Sequence, residues 1–367
     1  MQTYLLKEIR KIIAAYDAAE QTKEKLALAS VVNIEESSYR RIGARMLVSS
    51  SGQWVGGISG GCLEGDALRR SQQAIYNDQP TTITYDTLED DSNQIGVGLG
   101  CNGKIDVLFN PINYTDTNNP IEQLRQIAQS GHPAILLTII ESNEQYLGQS
   151  IIADENLSQL DFCRIEALPL SHAIKETRLK RRPQIINITN KDDQSLKVLV
   201  EYIKPETKLV LIGDNYDVIS MVGIAQELGW EVSVVCRKKK LSKEVYHKAH
   251  HVYEYEELAQ VKMDDYTAVI LMSHDFNWDK KLLPAIMKSD AAYIGMLGPK
   301  KRLIKMESEL NINLSQNSNF YSPVGLDIGA ETPEEIALSI ASEIVAFMRH
   351  RNGQPLRTRK GTIHERG

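Results

Sequence analysis

The sequence predicts an α/β protein in two parts: an N-terminal α+β domain, then a Rossmann-like domain built on a doubly wound parallel sheet. Three observations predict it. Short strands separated by turns and helical stripes fill the first half. From Lys208 onward the rhythm changes, and wholly apolar strands alternate with helical stretches, the pattern of a parallel sheet covered on both faces. Between them the run Lys204-Pro205-Glu206-Thr207 reads as a hinge, which places the domains at 1–204 and 205–352, with a polar tail at 353–367.

In the first part, Leu5, Ile9, Ile12, Ile13 and Tyr16 form a helical stripe. Residues 26–34 read as a buried strand, and 45–48 and 54–58 as short strands around the turn Ser50-Ser51-Gly52. A helix is expected over 63–76, just after Gly60-Gly61, and a strand over 81–85. A polar, glycine-rich loop then leads to a strand at 104–109, ended by Asn110-Pro111. The segment 115–200 is less regular: a helix at 121–128, strands at 134–140 and 149–152, and much polar linker precede a last strand at 196–203.

In the second part, Leu209-Val210-Leu211-Ile212 is an apolar strand followed by Gly213. A helix is expected over 218–228, closed by Gly229, and a strand over 230–235. Strands at 268–272 and 292–295 alternate with helices at 280–287 and 302–310. Thr332-Pro333-Glu334-Glu335 is a capping box with proline just inside it, so a long helix starts there.

Composition narrows the function. The chain has 367 residues, 42% apolar and 25% charged, as in ordinary globular proteins, and its net charge of −6 gives nucleic-acid binding no electrostatic support. No apolar run reaches the roughly 20 residues of a membrane span, and the N-terminus lacks the layout of a secretory signal. The expected location is the cytoplasm, where Cys62, Cys101, Cys163 and Cys236 are expected as free thiols. None forms a CxxC pair. A zinc site has little to build on, since the first domain offers only His132 and His172, far along the chain.

Two loops stand out. Ser59-Gly60-Gly61-Cys62-Leu63-Glu64 precedes a helix, and glycine amides at a helix N-terminus hold anions, a thiolate among them. Gly96-Val97-Gly98-Leu99-Gly100-Cys101-Asn102-Gly103 has four glycines in eight residues, which makes sense where backbone must approach a ligand closely. Two readings stand for the cysteines: ligands in anion-friendly loops, or small buried hydrophobes. Cys163 and Cys236 lack the glycine context and read as plain core or surface thiols.

Several blocks resemble the XdhC/CoxI family, in order along the chain. The first set is Ser37-Ser38-Tyr39-Arg40-Arg41-Ile42-Gly43-Ala44-Arg45-Met46, Gly57-Ile58-Ser59-Gly60-Gly61-Cys62-Leu63-Glu64, Tyr85-Asp86-Thr87 and Gly98-Leu99-Gly100-Cys101-Asn102-Gly103. The second is Ser273-His274-Asp275, the run from Tyr293 to Arg302, and the run from Pro323 to Ala337. The resemblance implies a protein that binds molybdenum cofactor, protects it while it receives its terminal sulfur, and delivers it to a xanthine-dehydrogenase-type apoenzyme. It implies a homodimer, and a cysteine desulfurase as a further partner. It also implies a cofactor chaperone rather than a catalyst. On this reading Cys62 and Cys101 meet the molybdenum, since soft thiolates suit a soft metal. Gly60, Gly61 and Gly100 hold oxo groups or phosphate. Arg40, Arg41 and Arg45 meet anionic groups of the cofactor or, equally, form surface salt bridges.

The Rossmann half departs from the dinucleotide pattern. After the first strand stands Gly213-Asp214-Asn215-Tyr216-Asp217-Val218, with Asn215 and Val218 at the second and third glycine positions, and with Asp214 and Asp217 adding negative charge where phosphates would lie. Arg237 stands near the acidic position after the second strand and would favour a 2′-phosphate, hence NADP over NAD, with weak binding expected. His274, at the carboxyl edge of the sheet, either touches a ligand or steadies its own loop. Two other functions stay open: an NAD(P)-dependent oxidoreductase, and a regulatory protein that senses a nucleotide or pterin.

Overall fold

The computed structural model describes residues 6–36, 40–86, 103–142, 145–153, 163–165 and 167–360. The chain divides into two compact units between Pro205 and Glu206.

Unit 1 is α+β. Its first sheet has the order β3-β2-β1-β5-β4, all antiparallel: β1 (Leu26–Glu36), β2 (Arg45–Ser49), β3 (Trp54–Gly56), β4 (Thr81–Asp86) and β5 (Gly103–Pro111). Alternation along β1 sends side chains to two faces. Ala29 and Val31 pack with Met46 and Val48 against Leu63, Ala67 and Ala74, which belong to α2 (Glu64–Asn77) and the residue before it. Leu26 and Leu28 turn the other way, to α1 (Leu6–Thr22) and α3 (Pro120–Ser130). Asn119 caps α3 by accepting the amides of Ile121 and Glu122.

The segment that reads as irregular in sequence forms a second antiparallel sheet, of order β7-β6-β9-β8. Its strands are β6 (Ala134–Glu141), β7 (Ser150–Ala153), β8 (Gln184–Thr189) and β9 (Ser195–Ile203), and α4 (Ala167–Lys180) covers one face through Leu170, Ala173 and Ile174. Val32, Leu108, Ile140 and Leu199 join the two sheets.

Unit 2 is a six-stranded parallel sheet of order β12-β11-β10-β13-β14-β15. The strands are β10 (Lys208–Ile212), β11 (Glu231–Cys236), β12 (His251–Glu254), β13 (Thr267–Leu271), β14 (Tyr293–Met296) and β15 (Phe320–Tyr321). In chain order this is 3-2-1-4-5-6, the doubly wound arrangement of dinucleotide-binding folds. The connecting helices are α5 (Asp217–Leu228), α6 (Lys243–Lys248), α7 (Phe276–Ile286), α8 (Lys300–Leu310) and α9 (Pro333–Met348). Apolar side chains fill both faces: Leu209 and Leu211 pack with α5 and α9, while Val210 and Ile212 pack with α7 and Met306 of α8. The capping box at Thr332 forms, with both reciprocal bonds to Glu335 present. Helix α7 begins at Phe276, ahead of the expected residue 280, because Asp275 accepts the amides of Asn277 and Trp278.

Candidate functional site

The loop between β3 and α2 carries Gly60, Gly61 and Cys62. Buried Ile58 and Leu63 pin it at both ends, so the segment between them arches outward: Gly60 and Gly61 are exposed and Cys62 is half-buried. Ser59 organises the arch. Its hydroxyl donates to Glu64 and accepts the amides of Gly61 (3.2 Å) and Leu63 (3.0 Å), and the Cys62 thiol donates to it at 3.6 Å. The Ser59 amide donates to Glu64 Oε1 at 2.9 Å. Burial pushes the Glu64 carboxyl up, but the Ser59 hydroxyl and amide outweigh it, and the net effect is a carboxyl held below its usual range. The anion preference of the α2 N-terminus is thus met partly from within the chain, by Glu64 and by Asp66 in its first turn. Tyr85 of β4 donates to Asp66 at 2.8 Å, which ties the helix start to the sheet.

Arg40 lies beside this loop. A Cβ built on Gly57 would meet Glu64 Oε1 at 3.2 Å and Arg40 Nη2 at 3.8 Å. Arg40 Nη1 donates to Glu8 of α1 at 3.1 Å. Arg41 is half-buried, and its carbonyl accepts the amide of Ala44 in the turn before β2. Arg45 is elsewhere. It is 6% exposed, and its guanidinium binds Glu201 of β9 at 2.6 and 3.1 Å and the Gly43 carbonyl at 2.7 Å. Both ions line a small internal cavity between the sheets, with Ser30, Thr138 and Ser150. Cys101 and Gly100 lie outside the described residues.

The structure therefore brings Gly60, Gly61, Cys62 and Arg40 to one loop and commits Arg45 to the interior. The other described cysteines are buried, and burial pushes the thiols of Cys163 and Cys236 up to about 12. Among the described residues no cluster of three histidines, cysteines or carboxylates is placed to hold a metal ion. None of the described helices is long and apolar enough to cross a membrane.

Gly213, Asn215, Arg237 and His274 gather at the carboxyl edge of the unit 2 sheet. Gly213 is needed for packing: a Cβ there would meet the Met272 carbonyl oxygen at 2.7 Å. The Asn215 amide donates to the Ser273 carbonyl at 2.7 Å. Arg237 forms a two-pronged ion pair with Asp214 of the glycine turn. His274 has a left-handed backbone, with φ of 55°, and its Nε2 lies 2.6 Å from Asp217 Oδ2 at the start of α5. Below it, buried Ser273 binds Asp279 of α7 at 2.5 Å, and Arg302 binds the other Asp279 oxygen at 2.6 Å. Sequence reasoning treats Asp214 as a charge facing phosphates and gives Asp279 no role. The cations that pair with them stand 23 residues away in each case, a spacing with no periodic signature.

Two family models match the chain: the XdhC and CoxI family over residues 19–86, and the XdhC Rossmann domain over residues 209–344. The chain is similar to a probable xanthine dehydrogenase subunit of Bacillus subtilis, 29% identical over 333 residues, which are 90% of this chain and 95% of that protein. It is similar to the molybdenum cofactor insertion chaperone PaoD of Escherichia coli, 22% identical over 354 residues, 95% of this chain and 92% of that one. A crystal structure described as a xanthine dehydrogenase from Bacillus halodurans superposes with a TM-score of 0.71 at 25% identity, covering 93% of this chain and 96% of that one.

Proposed function

Since the chain belongs to the XdhC and CoxI family, we propose that it serves the maturation of a xanthine-dehydrogenase-type molybdenum hydroxylase, by binding molybdenum cofactor, protecting it and delivering it to the apoenzyme. The observation that carries this reading is the Cys62 loop: a half-buried thiol beside two exposed glycines, with the Arg40 guanidinium nearby. A thiolate is a soft donor suited to a soft, sulfur-ligated metal. Gly60 and Gly61 leave room for a group to approach the backbone, and a Cβ on Gly61 would meet nothing within 4 Å. Arg40 supplies charge for an anionic group, and Glu8 holds it in place. Cys101 and Gly100 join the site on the strength of the sequence, and Arg41 stands next to Arg40 in the chain. Arg45 acts from behind, by fixing β2 to β9.

The relatives named as a xanthine dehydrogenase subunit and as a cofactor insertion chaperone support the same reading. In this proposal the client is an apo molybdenum hydroxylase, a cysteine desulfurase supplies the sulfur, and the protein works in the cytoplasm as a homodimer. NADP or NAD binds only weakly to unit 2, because Arg237 is committed to Asp214.

The test is anaerobic loading of the purified protein with molybdenum cofactor, followed by desalting and assay of metal and pterin. Wild type is expected to retain both stoichiometrically. Cys62→Ala and Cys101→Ala are expected to lose most of the metal with the circular dichroism spectrum unchanged. No retention by wild type would sink the proposal.

A further inference from the structure

Arg40 and Glu8 meet from two different elements. Arg40 lies in the loop before β2, and Glu8 stands in the first turn of α1. Helix α1 is fixed by its other side, where Leu6, Ile9, Ile12 and Ile13 are buried against β1 and α3. Glu8 is therefore a carboxylate on a rigid mount, with its side chain 33% exposed against 28% for Arg40.

The bond between them is one-sided. Both Glu8 oxygens approach the same amino nitrogen, Arg40 Nη1, at 3.1 and 3.4 Å. Among the described residues Nε and Nη2 have no acceptor. Nη2 lies on the side of the Cys62 loop, 3.8 Å from where a Cβ on Gly57 would stand. Glu64, whose Oε1 would be 3.2 Å from the same point, is engaged elsewhere: its oxygens carry the Ser59 amide and hydroxyl.

A guanidinium held through Nη1 keeps its opposite edge open. Nε and Nη2 are parallel donors on that edge, a fork that matches two adjacent oxygens of one anionic group. An arginine left to itself is spread over many rotamers, and ordering it is a cost that binding must meet. Glu8 meets that cost before a ligand arrives.

We propose that Glu8 is a positioning residue of the Cys62 loop: it clamps Nη1 so that the Nε–Nη2 edge of Arg40 receives an anion with two adjacent oxygens, of the phosphate type. Glu8 touches no ligand in this arrangement, and α1 enters the site through Arg40 alone. The proposal rests on the assignment of Arg40 to an anionic group, but its test uses inorganic phosphate and is separate from cofactor retention.

Two effects of Glu8 oppose each other, and their sign tells them apart. As a bare negative charge Glu8 repels an anion, so its loss would tighten binding. As a clamp it presents Arg40, so its loss weakens binding.

The test is proton–nitrogen NMR of the full chain labelled with ¹⁵N-arginine, with the Arg40 Nε signal identified from its loss in Arg40→Lys. In wild type this signal is expected to shift with inorganic phosphate and to stay in place with sodium chloride at equal ionic strength. Glu8→Ala is expected to weaken phosphate binding at this signal by about twofold to tenfold, the cost of ordering one long side chain, although a carboxylate has been removed. Alanine suits an exposed helical position, so the fold should be kept. Glu8→Gln retains an oxygen for Nη1 and is expected to recover most of the loss. Equal or tighter binding in Glu8→Ala, Glu8→Gln as weak as Glu8→Ala, a chloride shift equal to that of phosphate, or no shift with millimolar phosphate would overturn the proposal.

Discussion

The Asp214 carboxylate holds Arg237 by three bonds: Nε to Oδ2 at 2.7 Å, Nη2 to Oδ1 at 2.8 Å, and the Arg237 amide to Oδ2 at 3.1 Å. Asp214 follows β10 and Arg237 follows β11, so the pair fastens two neighbouring strand ends. It occupies the place where a dinucleotide fold reads the ribose, and it occupies it with the chain's own groups. The sheet order is kept while the recognition residues have been turned on each other.

A first prediction follows for ligand choice. Asp214→Asn releases the guanidinium and is expected to raise the affinity for NADP by about tenfold, one charge-assisted contact, with little change for NAD. Titration calorimetry of both cofactors on both proteins checks this. Equal affinities in the two proteins would show that Arg237 has no bearing on a 2′-phosphate.

The same pair has a pH signature. Burial pushes the Asp214 carboxyl up, but the side-chain and backbone bonds from Arg237 outweigh it and hold it below the usual range. A carboxyl lowered in the folded state stabilises above its unfolded value, about 3.9, and loses that contribution as pH falls through the folded value. The stability advantage of wild type over Asp214→Asn is thus expected to be constant from pH 8 to about 5 and to shrink below about 4. Urea midpoints across that range decide it. A difference that grows on acidification would contradict the assignment.

Arg45 and Glu201 make a different kind of prediction, because both are buried in unit 1. Removing one partner leaves a charge stranded. Arg45→Met is expected to cost about 3–5 kcal/mol, and Arg45→Met with Glu201→Leu to recover most of it. Denaturation with hydrogen exchange read at β2 and β9 separates this loss from events in unit 2. The double variant is also expected to keep its molybdenum cofactor, since the guanidinium is spent between the sheets. Loss of cofactor from a folded double variant would return Arg45 to the binding site.

These cases show what the sequence carried. The continuous apolar run Leu209–Ile212 announced a parallel strand because such strands are covered on both faces. The capping box at Thr332 announced α9 because its bonds are local. Helix α4 and strand β8 went unread for physical reasons. Pro169 in the first turn blurs the helical pattern of α4, and β8 is an edge strand, paired among the described residues only with β9 and with Ile188 its one buried residue, so neither shows a clean period. At the site, glycines located the Cys62 loop, but the partners of Arg45 and Arg237 come from elsewhere in the chain. Glu201 is 156 residues from Arg45, and nothing in local pattern points to it.

Cysteine reactivity should follow burial. With their thiols at about 12, Cys163 and Cys236 are almost wholly protonated at neutral pH, and both are buried. Iodoacetamide at pH 7.5 is expected to leave them unlabelled in the native protein and to label Cys62 first among the three. Peptide mapping after partial alkylation checks the order, and urea should abolish it. Fast native labelling of Cys236 would mean that unit 2 opens far more readily than its packed core implies.

The last prediction concerns the arch that presents Cys62. One hydroxyl, that of Ser59, donates to Glu64 and accepts the amides of Gly61 and Leu63 and the Cys62 thiol. Ser59→Ala leaves the buried Leu63 amide without its acceptor, at a cost of about 1–3 kcal/mol. It also takes from Glu64 the strongest of the bonds that offset its burial, so the Glu64 carboxyl should move upward. If the arch is preorganised for a ligand, cofactor retention should fall in Ser59→Ala although Cys62 itself is intact, and should recover in part in Ser59→Thr, which restores the hydroxyl. Retention unchanged in Ser59→Ala would mean that the thiol needs no fixed arch, and that the hydroxyl serves only to start α2.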